Sequence, residues 1–86
     1  MYEVILTGQP ERFYAEAQRP LARKLATCFQ RLAKDPRGHP STRSLKGPLA
    51  GYSRFRVGDY RVVYRIDESA HKVFVVKIAH RREAYE

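Results

Sequence analysis

The segment "RFRVGDYRVVYR", residues 54–65, contains the pattern that decides the fold. On both sides of Gly58-Asp59, apolar residues alternate with charged ones, a period of two that is typical of half-buried β-strands. Glycine at the first of two central loop residues suits a type II′ turn, so the segment predicts a tight β-hairpin. The register set by this turn places Arg56 directly opposite Arg61.

This hairpin is predicted to have two unlike faces, because successive side chains of a strand point to opposite sides. The apolar face, which should pack against helices, carries Phe55, Val57, Tyr60, Val62, Tyr64 and Ile66. The other face carries four arginines, namely Arg54, Arg56, Arg61 and Arg65. Like charges opposite each other destabilise a sheet, so this face indicates a functional surface that meets phosphates. Alternatively, the arginines extend into water and cover apolar surface with their stems.

Two further β-prone runs, one before and one after the hairpin, predict the remaining strands of the sheet. The four predicted strands are "YEVILT" (2–7), 52–57, 60–66 and "KVFVVKIA" (72–79). In the last strand, Phe74, Val76 and Ile78 are expected to join the apolar face. Alternation then puts Lys77, Ala79 and Arg81 on the basic face. Residues 37–51 are expected to form an irregular connection.

Two prolines mark the starts of predicted helices over 10–17 and 20–34, since proline suits the first helical turn. The second helix has an apolar stripe at helical spacing, made of Leu21, Leu25, Cys28, Phe29 and Leu32. The order β-α-α-β-β-β predicts a single α+β domain over residues 1–86. Its expected architecture is an antiparallel sheet with a two-helix hairpin packed on one face and a basic open face.

The charge of the chain predicts a polyanionic partner. Seventeen Lys+Arg against nine Asp+Glu give a net charge of +8 over 86 residues. Residues 37–86 contain eleven basic and five acidic side chains, a net +6. A pI near 10.1 with the excess gathered in one half points to nucleic acid above all. A basic protein with a solvated charged face is the alternative.

Other classes of protein are disfavoured by what the sequence lacks. His39, His71 and His80 are scattered, so no metal-ligand spacing is present. Cys28 is the single cysteine, which excludes an internal disulfide and fits a reducing cytoplasm. We expect it to be a buried apolar residue rather than a nucleophile. No apolar run approaches the ~20 residues of a membrane span. Because the first residues lack a basic segment followed by an apolar one, we expect no secretory signal.

Two segments resemble the RelE/ParE superfamily of bacterial toxins from type II toxin–antitoxin systems, nearer its RelE branch. They are "LKGPLAGYSRFRVGDYRVVYRID" (45–67) and "VFVVKIAHRREAY" (73–85). The resemblance implies a cytoplasmic, ribosome-dependent endoribonuclease that cuts mRNA in the ribosomal A site and inhibits translation. In such enzymes the 2′-hydroxyl attacks the scissile phosphate without a metal or other cofactor. It also implies a cognate acidic antitoxin, a hetero-oligomeric complex and no membrane association.

The resemblance further implies roles for individual residues. Arg61 and Arg81 match phosphate-binding arginines of the family, and Tyr85 matches a tyrosine that stacks on or orients the substrate. Arg54 falls where family members often place a basic residue with a general-base role. The remaining expected RNA contacts are Arg56, Arg65, Lys77, Arg82 and Lys46. An amphipathic antitoxin helix is expected against the helical hairpin or a sheet edge, with acidic residues near Arg61 and Arg81.

One departure from the family pattern bears on the general base. Well-studied RelE-type toxins have lysines on the first hairpin strand, where this chain has Tyr52, Arg54 and Arg56. Arginine is not deprotonated in proteins, so Arg54 is a poor proton acceptor. The alternatives are His80, Lys77 with a lowered pKa, or Tyr85. The predicted register puts His80 on the core side, and Tyr85 could equally be a packing residue.

Two other functions fit the same resemblance. A ParE-type toxin shares the fold but poisons DNA gyrase and is not a nuclease. A degenerate member would bind only RNA or its antitoxin. The combination of Arg61, Arg81 and Tyr85 favours the nuclease.

Overall fold

The computed structural model describes residues 1–85, in which two α-helices pack on one side of a five-stranded sheet. The strands are β1 (Glu3–Leu6), β2 (Thr42–Ser44), β3 (Ser53–Val57), β4 (Tyr60–Asp67) and β5 (Lys72–His80), and the helices are α1 (Gly8–Glu16) and α2 (Arg19–Lys34). The sheet order is β1-β5-β4-β3-β2. This confirms the predicted α+β architecture, to which the structure adds the short strand β2. Neither helix is long and apolar enough to cross a membrane, nor is any other helical segment within residues 1–85.

The β3–β4 hairpin has the register that its turn predicts. Arg56 lies opposite Arg61, and Val57 lies opposite Tyr60. Gly58 has a φ of 57°, a left-handed conformation that glycine adopts without steric cost. The turn residues therefore fix which side chains share a face.

The first strand runs in a direction that the sequence does not predict. β1 pairs with β5 in parallel, with Ile5 opposite Phe74, so the sheet is mixed rather than antiparallel throughout. A tight turn sets an antiparallel direction only between consecutive strands. β1 and β5 are separated by most of the chain, so no local turn determines their relative direction.

A β-bulge in β5 changes which of its residues face the helices. Val63 of β4 pairs with Lys77, but the next residue, Tyr64, pairs with Val75. Val76 is the extra residue between these pairs, which is the definition of a bulge. The alternation of side chains in β5 is therefore interrupted at this point.

The bulge makes part of the predicted core wrong. Val73 and Val75 are fully buried in the core, whereas Phe74 and Val76 are partly exposed and lie outside the core cluster. Beyond the bulge the predicted alternation holds, and Ile78 is fully buried. A prediction that assumes strict alternation along the whole of β5 does not account for the extra residue Val76.

The core joins the helix stripe to the apolar face of the sheet. Its buried members are Leu25, Cys28, Leu32, Phe55, Val57, Val62, Tyr64, Val73, Val75 and Ile78, with Phe29 packed against them. Burial raises the pKa of Cys28 to about 12, so its thiol stays neutral, as expected for an apolar role. Burial also raises the pKa of Tyr64 to about 12, and its hydroxyl donates a hydrogen bond of 2.6 Å to the carbonyl of Pro36.

An exposed polar cluster ties the N-terminus to two loops. The Glu68 carboxylate accepts hydrogen bonds from the Tyr2 hydroxyl at 2.5 Å and from Arg37 at 2.8 Å. The Tyr2 ring stacks on His71 at 3.9 Å between centroids. The hydrogen bond from Tyr2, followed by the charge of Arg37, holds the pKa of Glu68 below its usual value.

We expect Glu68→Gln to flatten the dependence of folding stability on pH in acid. Because the pKa of Glu68 is lower in the folded state, its contribution is fully present above the unfolded pKa of about 4.3 and is lost as pH falls through the folded pKa. Urea unfolding between neutral pH and pH 3 measures the slope. Asp67, whose pKa is lowered by hydrogen bonds from Ser69 and Ala70, keeps its own part of that slope in the variant. An unchanged slope would contradict the role assigned to Glu68.

A basic open face as the candidate active site

The side of the sheet opposite the helices is lined by cations from four strands. We call it the basic open face and define it by Arg43, Arg54, Arg56, Arg61, Arg65 and Lys77. Arg43 lies on β2 directly opposite Arg54 and is missing from the sequence-based prediction. A strand of three residues is too short to be identified from its periodicity. Arg43 is placed on this face only by the antiparallel pairing of β2 with β3.

The β3–β4 turn brings the two expected phosphate-binding arginines to the same place. Nη1 of Arg61 donates hydrogen bonds to the carbonyls of Gly58 at 3.0 Å and Tyr60 at 2.9 Å. The backbone N–H of Arg81 donates to the carbonyl of Asp59 at 2.8 Å. Arg61 is half-buried and Arg81 is exposed. Arg61 is thus held by its side chain and Arg81 by its backbone, with the Arg81 guanidinium left open to a ligand.

Each pair of facing arginines has one member held by backbone carbonyls. Nη1 of Arg54 donates to the carbonyl of Ser41 at 2.6 Å, and Arg61 is held by the turn. Their partners Arg43 and Arg56 are exposed and have no side-chain hydrogen bond or ion pair within residues 1–85. Carbonyl dipoles offset part of the repulsion in each pair, while the second guanidinium remains available for an anion.

The other predicted RNA contacts are spread along the sheet rather than gathered at this turn. Arg65 lies over the Phe74 ring, 4.3 Å from its centroid, and is four residues from Arg61. That separation is about 14 Å along an antiparallel strand. Lys46 is exposed at the β2–β3 connection, which is the opposite end of β3 from Gly58. The structure therefore gathers Arg56, Arg61 and Arg81 and leaves Arg65 and Lys46 at a distance.

The C-terminal turn, residues 81–85, folds back toward the basic open face. Nζ of Lys77 donates a hydrogen bond to the carbonyl of Glu83 at 2.9 Å. Ala84 is 2% exposed. Val63, which lies on the basic open face, is 3% exposed. Neither residue belongs to the core cluster. Tyr85 is 46% exposed, and Arg82 is also exposed. The tail thus presents both side chains to a ligand near this face.

His80 lies on the helix side of the sheet, as its predicted register requires. It pairs with Tyr60, and the two rings meet edge to face at 5.8 Å. Its Nδ1 accepts a hydrogen bond of 3.3 Å from the backbone N–H of Arg82. The His80 ring and the basic open face are therefore on opposite sides of the sheet.

The chemical groups that the basic open face offers are guanidinium groups, one ammonium group and, from the tail, a phenol. Within residues 1–85, no three His, Cys, Asp or Glu side chains are grouped so that they could hold a metal ion. An arrangement of fixed and free guanidinium groups around one turn can bind a phosphate and stabilise negative charge that develops on it.

The fold and this face define a class of small basic α+β proteins in which one side of the sheet is cationic. Residues 9–85 match the family described as ParE toxin of type II toxin-antitoxin system, parDE, and the chain belongs to this family. It is a type II toxin close to RelE homologues.

Two similar proteins support this assignment, and a third shares the fold. Toxin RelE of Mycobacterium tuberculosis (strain ATCC 25618 / H37Rv) is 35% identical, over 98% of this chain and 86% of the relative. The toxin–antitoxin complex RelBE2 of Mycobacterium tuberculosis contains a chain with 28% identity and a TM-score of 0.72, covering 93% of this chain and 98% of that one. An archaeal RelE–RelB complex from Pyrococcus horikoshii OT3 has a chain with a TM-score of 0.81 at 23% identity, covering 96% and 98%. This last likeness concerns the fold.

Proposed function

We propose that this toxin is a metal-independent, ribosome-dependent endoribonuclease that cleaves mRNA in the ribosomal A site and thereby inhibits translation in the cytoplasm. The observation that carries the proposal is the convergence of Arg61 and Arg81 on the turn at 58–59, with Arg56 facing Arg61. The 35% identity with a RelE toxin supports the same branch of the superfamily.

In the proposed reaction, the ribose 2′-hydroxyl attacks the adjacent phosphorus and the bond from phosphorus to the 5′-oxygen breaks. The products are a 2′,3′-cyclic phosphate and a 5′-hydroxyl end. Negative charge builds up on the non-bridging oxygens, and the guanidinium groups of Arg61 and Arg81 stabilise it. Because backbone carbonyls hold Arg61 in place, its charge needs little reorganisation during the reaction.

Arg54 acts in this scheme as a positioning residue rather than as the general base. Its guanidinium cannot accept a proton, and its hydrogen bond to Ser41 links β3 to the segment that precedes β2. Tyr85 is the exposed phenol of the tail and orients the substrate. Lys77 holds that tail through Glu83. Both remain candidates for the base, while the ring of His80 faces the helices.

The proposed protein partner is a cognate acidic antitoxin that forms a hetero-oligomer with this chain. The net charge of +8 favours an acidic partner. The similar structures include RelBE2 and archaeal RelE–RelB complexes. Acidic antitoxin residues near Arg61 and Arg81 would compete with RNA for the same guanidinium groups.

The second candidate is a ParE-type toxin that poisons DNA gyrase, because the matched family is described by ParE toxins. The two functions differ in the macromolecule that is damaged. A gyrase poison leaves mRNA intact and causes DNA breaks, whereas the proposed nuclease does the reverse.

We expect purified toxin to cut an mRNA that is being translated and to leave the same RNA uncut when ribosomes are omitted. Primer extension on the RNA maps the cleavage sites, and gyrase supercoiling of plasmid DNA serves as the parallel reaction. Cleaved DNA–gyrase complexes together with intact mRNA would favour the second candidate. Cutting of naked RNA at an equal rate would contradict the dependence on ribosomes.

A further inference from the structure

A cavity of about 500 Å³ lies at the corner formed by β2, β3 and β4. The helix α2 ends at Lys34, so this corner of the sheet has no helix over it. After α2, the segment that contains Pro36 forms one wall of the cavity. The carbonyl of Pro36 accepts a hydrogen bond from the Tyr64 hydroxyl, which also lines the cavity. The cavity is thus a gap in the helix layer, and we call it the edge pocket.

Most of the strand residues that line the edge pocket lie on the helix side of the sheet. Ser44 and Ser53 face each other across β2 and β3 on the helix side, which they share with Tyr64. Arg43 and Tyr52 also line the pocket, and Arg43 belongs to the basic open face through its pairing with Arg54. The edge pocket therefore borders the basic open face at the short edge strand β2.

Three polar groups in the edge pocket are unused by the protein. The side chains of Arg43, Ser44 and Tyr52 make no hydrogen bond or ion pair within residues 1–85. In contrast, the Thr42 hydroxyl donates to backbone carbonyls, and Arg37 is paired with Glu68 at 2.8 Å. A cation, a hydroxyl and an aromatic ring together suit a ligand with an anionic group, polar edges and a flat ring.

We infer that the edge pocket binds one nucleotide of the RNA strand that lies on the basic open face, with its phosphate at Arg43 and its base against Tyr52. This inference rests on the proposed ribonuclease function. The volume is within the range of small-ligand sites, roughly 300–1,000 Å³. Arg43 lies two strand spacings from β4 and is level with Val63, two residues from Arg61, which places it about 12 Å from Arg61. The nucleotide bound here therefore lies beyond the scissile phosphate rather than forming part of it.

The unused side chains of Arg43, Ser44 and Tyr52 favour RNA over an acidic peptide as the occupant of the edge pocket. A carboxylate would pair with Arg43 but would leave the Tyr52 ring without a partner. Stacking of a base on an aromatic side chain strengthens binding by roughly 5- to 150-fold, judged by alanine substitution. The edge pocket therefore adds affinity for RNA that extends beyond the cleaved bond.

The test measures binding of uncleavable RNA, with a 2′-deoxy residue at each position that could be attacked. Fluorescence anisotropy compares a dinucleotide with a hexanucleotide for the wild-type chain and for Arg43→Ala, Tyr52→Leu and Tyr52→Phe. We expect the wild-type chain to gain at least tenfold in affinity on extension. Arg43→Ala and Tyr52→Leu should lose most of that gain, and Tyr52→Phe should keep it because its ring can still stack. Arg23→Ala, an exposed arginine on α2, is the matched control for net charge.

Equal gains on extension for the wild-type chain, Arg43→Ala and Tyr52→Leu would overturn the inference. So would a loss in Arg43→Ala that appears only for an acidic antitoxin peptide and not for RNA. Circular dichroism of each variant shows that it is folded, and Ser44→Ala, a smaller change in the same pocket, provides a further test if Tyr52→Leu does not fold. Absence of mRNA cleavage with the RNA-binding pattern intact would contradict the proposed function and leave this site in place.

Discussion

Replacement of Arg61 by alanine is expected to slow mRNA cleavage by about 10²–10³-fold, the usual effect of losing one fixed donor to a developing oxyanion. Carbonyls of the β3–β4 turn hold this guanidinium, so it is preorganised for the reaction. Single-turnover cleavage of mRNA on programmed ribosomes measures the change. In cells, Arg61→Ala should abolish growth arrest while the fold remains and the antitoxin still binds through its other contacts.

Arg65→Ala is the matched control, because it removes the same charge from the same strand. Arg65 packs over Phe74, about 14 Å from Arg61 along the strand. Its loss should leave the cleavage rate close to that of the wild-type chain and make the salt dependence of RNA binding shallower. An Arg61→Ala variant that cuts at the wild-type rate, or a slower Arg65→Ala variant, would contradict the assignment of roles on this face.

The largest expected effect on stability is that of Leu32→Ala, which should lower the free energy of unfolding by about 2–5 kcal/mol. Leu32 is fully buried between α2 and the sheet, so its removal leaves a cavity as well as losing buried apolar area. The total stability of a domain is typically about 5–15 kcal/mol, so the variant should be close to unfolding at moderate temperature. Equilibrium unfolding in urea measures the difference.

Lys24→Ala is the control for Leu32→Ala, because Lys24 is exposed on the same helix. We expect its unfolding free energy to be within about 0.5 kcal/mol of the wild-type value. If Leu32→Ala were as mild as Lys24→Ala, then α2 would not pack against the sheet as described.

The hairpin shows why much of the fold could be predicted from sequence. Its two-residue loop contains Gly58, whose positive φ fixes the turn, and the turn fixes the register of every pair along β3 and β4. The helices could be predicted equally well. Prolines mark their first turns, and the spacing of apolar residues marks their buried faces. These signals are local, so a single sequence contains them.

The features that were missed depend on contacts between distant segments. The extra residue Val76 is set by how β5 pairs with β4, and nothing in the composition of β5 marks it. The direction of β1 depends on its docking beside β5, and β2 is only three residues long. Because of the bulge at Val76, Phe74 lies on the basic open face beneath Arg65 and not in the core that simple alternation predicts.

The face that carries the candidate site could be predicted from the sequence, but the arrangement of its side chains could not. Alternation along the hairpin identified Arg54, Arg56, Arg61 and Arg65 as residues of one face, and pairing confirms it. Which arginines are held by carbonyls and which are free depends on loop positions such as Ser41 and Gly58. Arg43 could not be found, because its strand exists only through its pairing with β3.

The most direct test of the central claim, that Arg61 and Arg81 act on one phosphate, is a double-mutant cycle of single-turnover cleavage rates. The cycle compares wild type, Arg61→Ala, Arg81→Ala and the double variant on the same programmed ribosomes. Residues that stabilise the same charge are strongly non-additive, so we expect the double variant to lose far less than the product of the two single losses. An Arg81→Ala variant with the wild-type rate, or losses that multiply fully, would contradict the claim.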